Sequence, residues 1–209
     1  MSYLRYMFLH VHPDNPNPRN IKTIVECLLD GGVIIYPTDT IYGLGCNMLQ
    51  HKAIERIAQI KRIPLEKINL SFICYDLSDL SKYTKSISTP LYRMLKHYLP
   101  GAFTFILPAS KEVPKILQTK KNTIGLRVPD NNIARTITRE LGHPILSTTL
   151  PGEMIEEYTD PELMYENFKD IVDIVINGGI GGMQPSTVVD CTKEPYEIVR
   201  QGLGIFESE

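Results

Sequence analysis

The stretch Gly31–Gly45, GGVIIYPTDTIYGLG, constrains this chain more than any other. Val33, Ile34, Ile35 and Tyr36 form an unbroken apolar run after two glycines, which predicts a buried strand. Pro37 has no N–H to give to a sheet ladder, so the strand ends there. Thr38, Asp39 and Thr40 follow at the strand end, and Tyr42–Gly45 is expected to turn the chain with little side-chain bulk. In open α/β sheets, ligands sit beyond the carboxyl ends of strands. Two readings of the polar triplet follow. It is a turn whose hydroxyls and carboxylate satisfy their own backbone, or it holds a small polar ligand.

The remaining elements alternate. An apolar strand over Tyr3–Val11 ends in the proline turn His12–Pro16. His10 and His12 share one strand face, a spacing open to a metal or to a half-exposed surface. Helices are predicted over Asn20–Asp30, Lys52–Ile60, from Thr89, over Asn132–Leu141 and from Asp160 to about Lys169. Short helical turns are expected near Leu77–Tyr83 and Glu112–Gln118, and a basic turn at Lys120–Lys121. Strands are expected over Leu70–Cys74, Ala102–Leu107, Thr123–Val128, Pro144–Leu146, Ile171–Ile176, Ser186–Asp190 and Tyr196–Arg200. The third of these carries Arg127 in an otherwise apolar run, and a buried arginine needs an acidic partner or an anionic ligand. The fourth ends in the hydroxyl cluster Ser147-Thr148-Thr149. Strands and helices mix throughout the 209 residues without repeat or linker, which reads as one α/β domain.

Several chemistries are disfavoured. No GxxxxGK[ST], GxSxG or HExxH is present, and no carboxylate pair stands out. The glycine loop Asn177–Pro185 leads into a strand, so it lacks the helix N-terminus that a dinucleotide fingerprint needs. A net charge of −2 announces no global field for nucleic acid, although a local basic groove is compatible with it. The scattered Cys27, Cys46, Cys74 and Cys191 read as reduced core thiols, and no run is long and apolar enough to span a bilayer. The expectation is a cytoplasmic protein without membrane attachment. What remains is a set of strand-end hydroxyls with cations at Lys61, Arg62, Lys67, Arg127 and Arg200. No general base is evident, so catalysis in such a site rests on positioning and electrostatics, as in nucleotidyl transfer.

In order along the chain, GGVIIYPTDTIYGLG, LPGAFTFIL, TIGLRVP, LSTT, VDIVINGG, PSTVVDCT and IVRQG resemble the YrdC/YciO family of threonylcarbamoyl-AMP synthase-like proteins. HPDNP, LSTT and QPST look more like its YciO branch. The resemblance covers nearly the whole chain. It implies a single YrdC-like domain, a twisted mixed open sheet with flanking helices and a concave basic groove. It implies the reaction of L-threonine, bicarbonate and ATP, with magnesium accompanying the ATP, to threonylcarbamoyl-AMP and pyrophosphate. That adenylate feeds a tRNA modification, and binding of tRNA or double-stranded RNA, with modification partners, is also implied. No tightly bound cofactor or protein-held metal is expected.

Carried over residue by residue, the candidates for catalysis are Thr40, which would contact threonine, and Lys61 with Arg62 from the segment matching Lys-x-Arg-Pro. The candidates for substrate and nucleotide binding are Thr38, Thr104, Arg127, Ser147, Thr149, Ser186 and Arg200. The segment here reads Lys61-Arg62-Ile63-Pro64, so isoleucine stands at the motif's arginine position. The family's Asn-Pro-Leu-x-x-His histidine has no counterpart near Ser71-Phe72-Ile73, and Ser-Ala-Asn reads Ser147-Thr148-Thr149. A hydrogen bond to a charged group is worth about 1.5–3 kcal/mol, so two such losses weaken the reaction about a hundredfold or more. The alternative is a non-catalytic or divergent nucleotide- or RNA-binding protein, which predicts a basic strip through Lys61, Arg62, Lys67 and Lys121.

Overall fold

The apolar run at Val33–Tyr36 is a strand with all four side chains fully buried. Val33 and Ile35 pack into one apolar cluster and Ile34 and Tyr36 into another on the opposite face of the sheet. The period of two along a strand sends neighbours to opposite faces. Helices must therefore cover both faces, and they do.

The computed structural model describes residues 7–117, 122–151 and 159–207. In chain order its elements are β1 (Met7–His10), α1 (Pro18–Leu29), β2 (Val33–Tyr36), β3 (Gly43–Asn47), α2 (His51–Lys61), β4 (Ser71–Ile73), α3 (Leu77–Lys82), α4 (Thr89–Tyr98), β5 (Phe103–Pro108), β6 (Thr123–Arg127), α5 (Asn132–Leu141), β7 (Ile145–Thr149), α6 (Pro161–Phe168), β8 (Ile174–Asn177), β9 (Thr187–Asp190) and β10 (Glu197–Arg200). A 3-10 turn at Lys115–Leu117 replaces the expected brief helix. The strands form one mixed sheet in the order β1-β8-β2-β3-β7-β4-β6-β5-β9-β10. Four pairs are parallel (β1/β8, β2/β8, β4/β6, β5/β9) and the other five antiparallel. Helices α1 and α5 cover one face through Ile21, Ile24, Leu28, Ile133 and Ile137. Helix α2 packs on the other through Ala53, Ile54 and Ile57. Helix ends follow local chemistry: Asn131 caps α5 by accepting the Ala134 N–H, and Gly142 closes it at φ 79°.

Two strands differ from the sequence reading. Tyr42–Gly45 was expected to turn the chain, yet Gly43–Asn47 is a strand, paired with β2 and with β7. The glycines do not break the ladder because a neighbour supplies the missing packing. The Tyr36 ring lies across β3, and a Cβ on Gly45 would sit 2.8 Å from that ring and 2.8 Å from Ile145. Likewise, β7 continues through Thr149, so its hydroxyls belong to the strand itself. His12 lies beyond the end of β1, and its Nδ1 accepts the backbone N–H groups of Asp14 and Asn15. The two histidines therefore do not share a strand face. Residues 3–6 of the expected first strand, Gln118 and the Lys120–Lys121 turn lie outside the described residues. All four cysteines are free and buried, and burial pushes the thiols of Cys27, Cys46 and Cys191 up to about 12.

Gly45→Ala is expected to cost about 1–3 kcal/mol of stability, the usual price of overpacking a closed core. A urea melt of wild type and variant measures it; an unchanged midpoint would mean that the ring moves aside freely.

Candidate functional site

The short polar turn after β2 is organised around one arginine. Arg127 ends β6 and is only 7% exposed. Its Nη2 donates to Thr40 Oγ1 at 2.8 Å and more weakly to Thr38 Oγ1 at 3.4 Å, and it forms an ion pair with Asp39. Its Nε is buried with no acceptor. An unmet buried N–H is costly and rare in folded proteins. Thr38 serves the turn itself: its Oγ1 accepts the Thr40 N–H and donates to Ile41 O at 2.7 Å. The backbone-turn reading of the triplet is thus met by Thr38, while Thr40 is presented beside a guanidinium.

A second arginine stands near the first. Arg200, the last residue of β10, donates through Nε and Nη2 to the Ser186 carbonyl at 3.2 and 2.8 Å. The Ser186 and Thr104 hydroxyls are 2.9 Å apart. Partial burial, then the like charge of Arg127, hold Arg200 below the usual arginine range. Bringing two guanidiniums together in this way favours an anion between them.

Lys61 ends α2, and its ammonium donates to three neutral oxygens: Thr149 O at 2.8 Å, Thr149 Oγ1 at 3.3 Å and Leu150 O at 3.2 Å. Among the described residues no carboxylate forms an ion pair with it. Burial lowers its pKa from the ordinary lysine value. Arg62 follows in the left-handed conformation at φ 53°, closing the helix through its backbone N–H to Ala58 and Gln59. That turn places Lys61 and Ile63 in the groove lining and leaves Arg62 exposed outside it.

The turn is braced from behind. The Tyr42 hydroxyl donates to Gly179 O at 2.6 Å and accepts from Gly178 N at 3.1 Å, and Gly182 N donates to Thr40 O at 2.9 Å. A Cβ on Gly182 would lie 2.8 Å from Thr40 O, so the glycine loop can approach the turn only without a side chain there. On the other side, Tyr36 donates to Ser147 Oγ at 2.6 Å from a fully buried position.

A groove of about 1090 Å³ lies over the strand ends and the middle of the sheet. Thr38, Thr40, Lys61, Thr104, Arg127, Ser147, Thr149, Ser186 and Arg200 all line it. Lys61, Lys67, Arg127, Lys193 and Arg200 among the lining outnumber Glu66 and Asp190, so its field is positive despite the chain's negative net charge. Ile41, Ile63, Leu65 and Ile68 make part of the wall apolar. Of the basic strip expected for RNA, Lys61 and Lys67 line the groove, Arg62 does not, and Lys121 lies outside the described residues. Among the described residues no cluster of His, Cys, Asp and Glu is arranged to hold a metal. Sequence reasoning placed Asp39 in the polar triplet and asked for an acidic partner for Arg127 without joining the two, and it gave the Tyr36 and Tyr42 hydroxyls no role in the site. For Tyr36 the signal was the GxG spacing of the neighbouring strand, which marks a close approach.

Fold and groove together define an α/β protein with a cationic, hydroxyl-rich cleft suited to an anionic ligand. Residues 26–202 match the Sua5/YciO/YrdC domain, described as telomere recombination, and the chain belongs to that family. Protein YciO of Escherichia coli is 44% identical over 200 residues, covering 94% of this chain and 96% of its own. The threonylcarbamoyl-AMP synthase of Chromobacterium violaceum is 35% identical over 179 residues, covering 85% and 92%. Among solved structures, E. coli YciO superimposes with a TM-score of 0.88 at 43% identity, covering 95% of this chain and 97% of that one. P. abyssi Sua5 complexed with L-threonine gives a TM-score of 0.83 at 26% identity, over 94% of this chain and 57% of that one.

Proposed function

We propose that the groove binds L-threonine and ATP and forms threonylcarbamoyl-AMP and pyrophosphate, with bicarbonate as the source of the carbamoyl carbon. The observation that carries this reading is the buried Arg127, whose Nε lacks an acceptor beside the Thr40 hydroxyl and within range of the Arg200 charge. A carboxylate seated there would satisfy the free N–H. Arg127, Thr40 and Ser186 would then hold the amino acid, and Lys61, Thr104, Thr149, Ser147 and Arg200 the nucleotide. Magnesium enters with the ATP, bound to its phosphates. Nucleotidyl transfer then needs charge stabilisation and alignment more than a general base. Likeness to the C. violaceum synthase and to the threonine complex of P. abyssi Sua5 supports the assignment. The product would serve tRNA modification in the cytoplasm.

The test is pyrophosphate release by the purified chain with ATP, bicarbonate and labelled L-threonine, together with isolation of a labelled adenylate. Threonine-dependent release supports the reading; release indifferent to threonine contradicts it. One observation favours a second reading, a divergent nucleotide- or RNA-binding protein. Ile63 lines the groove where the family motif places arginine, and no guanidinium takes its place because Arg62 points elsewhere. Salt-dependent retention of tRNA or double-stranded RNA without turnover is its signature. Under the synthase reading, Ile63→Arg is expected to raise turnover about tenfold, the value of one restored charged contact. Initial rates of pyrophosphate release check this, and an equal or slower variant would show that Ile63 is not what limits the rate.

A further inference from the structure

Tyr36 does not line the groove, and the reading above gives it no role. Its hydroxyl is fully buried, and its one partner is Ser147 Oγ at 2.6 Å. A phenol hydrogen in that position has a single acceptor within reach, so the bond can run only from Tyr36 to Ser147. Burial also pushes the phenol pKa up to about 12, which keeps the hydrogen in place at neutral pH. A serine hydroxyl has one hydrogen to give. With one lone pair of its oxygen engaged from behind, and with no acceptor for it among the described residues, that hydrogen is free to turn to the groove that Ser147 lines.

From this geometry we infer that Tyr36 is a positioning residue: its O–H fills one lone pair of Ser147 Oγ and turns the serine hydrogen toward the groove, so the ligand atom best seated against Ser147 is an acceptor oxygen of an anion. The device spans three strands. Tyr36 is on β2 opposite Gly43, Ser147 is on β7 opposite Gly45, and β3 lies between them. A Cβ on Gly43 would stand 3.0 Å from the Tyr36 ring and 3.1 Å from Ser147 Oγ. The two glycines therefore open the passage through which the phenol reaches the serine. Sequence motifs of the GxG kind read as turn or backbone flexibility; here they make room for a side chain to cross.

The inference rests on the groove binding an anionic ligand, as proposed above, but not on turnover. The phosphate chain of ATP and the carboxylate of L-threonine both offer the required oxygen. The experiment is calorimetric titration with MgATP and, separately, with L-threonine, on wild type, Tyr36→Phe, Ser147→Ala, the double variant and Ile145→Val. Ile145→Val trims the same core and reports what destabilisation alone does. Ser147→Ala is expected to raise Kd for MgATP, the ligand placed at Ser147 above, about tenfold, the effect of losing a hydrogen bond to an ionised group. Tyr36→Phe is expected to raise it about fivefold and to add nothing in the double variant, whereas Ile145→Val leaves Kd unchanged. The ligand affected identifies which oxygen sits at Ser147. If Tyr36→Phe lowers Tm and leaves both affinities unchanged, the phenol is only a packing group and the inference fails while the synthase reading stands. If the effects of Tyr36→Phe and Ser147→Ala add, the two act separately and it also fails. If wild type binds neither ligand, both readings fall together.

Discussion

Arg127→Met is expected to unfold at a markedly lower urea concentration and to lose threonine-dependent turnover. The two effects have one cause. Arg127 is the ion-pair partner of Asp39, whose side chain is 12% exposed. Removing one member of a buried pair strands the other, which costs about 3–5 kcal/mol. The same guanidinium holds Thr40 Oγ1 at 2.8 Å and carries the unmet Nε. Without it the turn loses its anchor and the proposed carboxylate site loses its charge. Combining Asp39→Asn with Arg127→Met is expected to recover most of the stability, because no ion is left stranded, and none of the activity. Equilibrium urea melts and pyrophosphate release separate the two. If the single variant is as stable as wild type, Asp39 is solvated well enough to stand alone and the pair is not an organising element.

Lys61→Ala acts in the opposite way, on function with little change in stability. Its ammonium rests on neutral oxygens, so among the described residues no countercharge is stranded when it goes. Loss of a charged contact to a phosphate is expected to lower turnover about a hundredfold, the upper range for one charge-assisted bond in a water-poor site. Lys61 also sets a pH limit. Burial depresses its pKa, so the folded protein gives up this proton more readily than the unfolded chain does. Between the depressed folded value and the unfolded one, the unfolded state binds more protons, and the group's contribution to stability rises with pH. Affinity for an anion falls over the same window as the positive charge is lost. The alkaline limb of the pH–rate profile therefore begins below the ordinary lysine range, and Lys61→Arg removes that limb from the accessible range because arginine stays charged. A limb that persists unchanged in Lys61→Arg would assign it to another group.

Much of this site could be read from the chain before its fold was known, for a physical reason. The apolar run before Pro37 has only one way to satisfy its burial, and the polar residues behind it must then fall at a strand end. Arg127, alone in an apolar strand, had to have a partner, and Asp39 and Thr40 provide it. What escaped was long-range. The phenol of Tyr36 meets Ser147 across 111 residues of sequence, and nothing local to either residue announces the pairing. The glycines of β3 read locally as a turn, because local propensity cannot show that a ring from the next strand fills their place. Arg62 fell outside the groove because the left-handed closure of α2 reverses the chain at that residue, and a helix pattern gives its length more readily than the direction in which its last side chains leave. The glycine loop after β8 gave no sign that it braces Thr40, since that contact is made by backbone atoms alone.

The central claim is that one cationic groove over the strand ends receives both substrates. A crystal structure of the protein soaked with MgATP and L-threonine tests it most directly. The threonine carboxylate is expected within hydrogen-bond distance of Arg127 Nε, and phosphate oxygens against Lys61, Ser147 and Arg200. Ligand density elsewhere on the molecule, with Arg127 Nε still without a partner at saturating ligand, would contradict it.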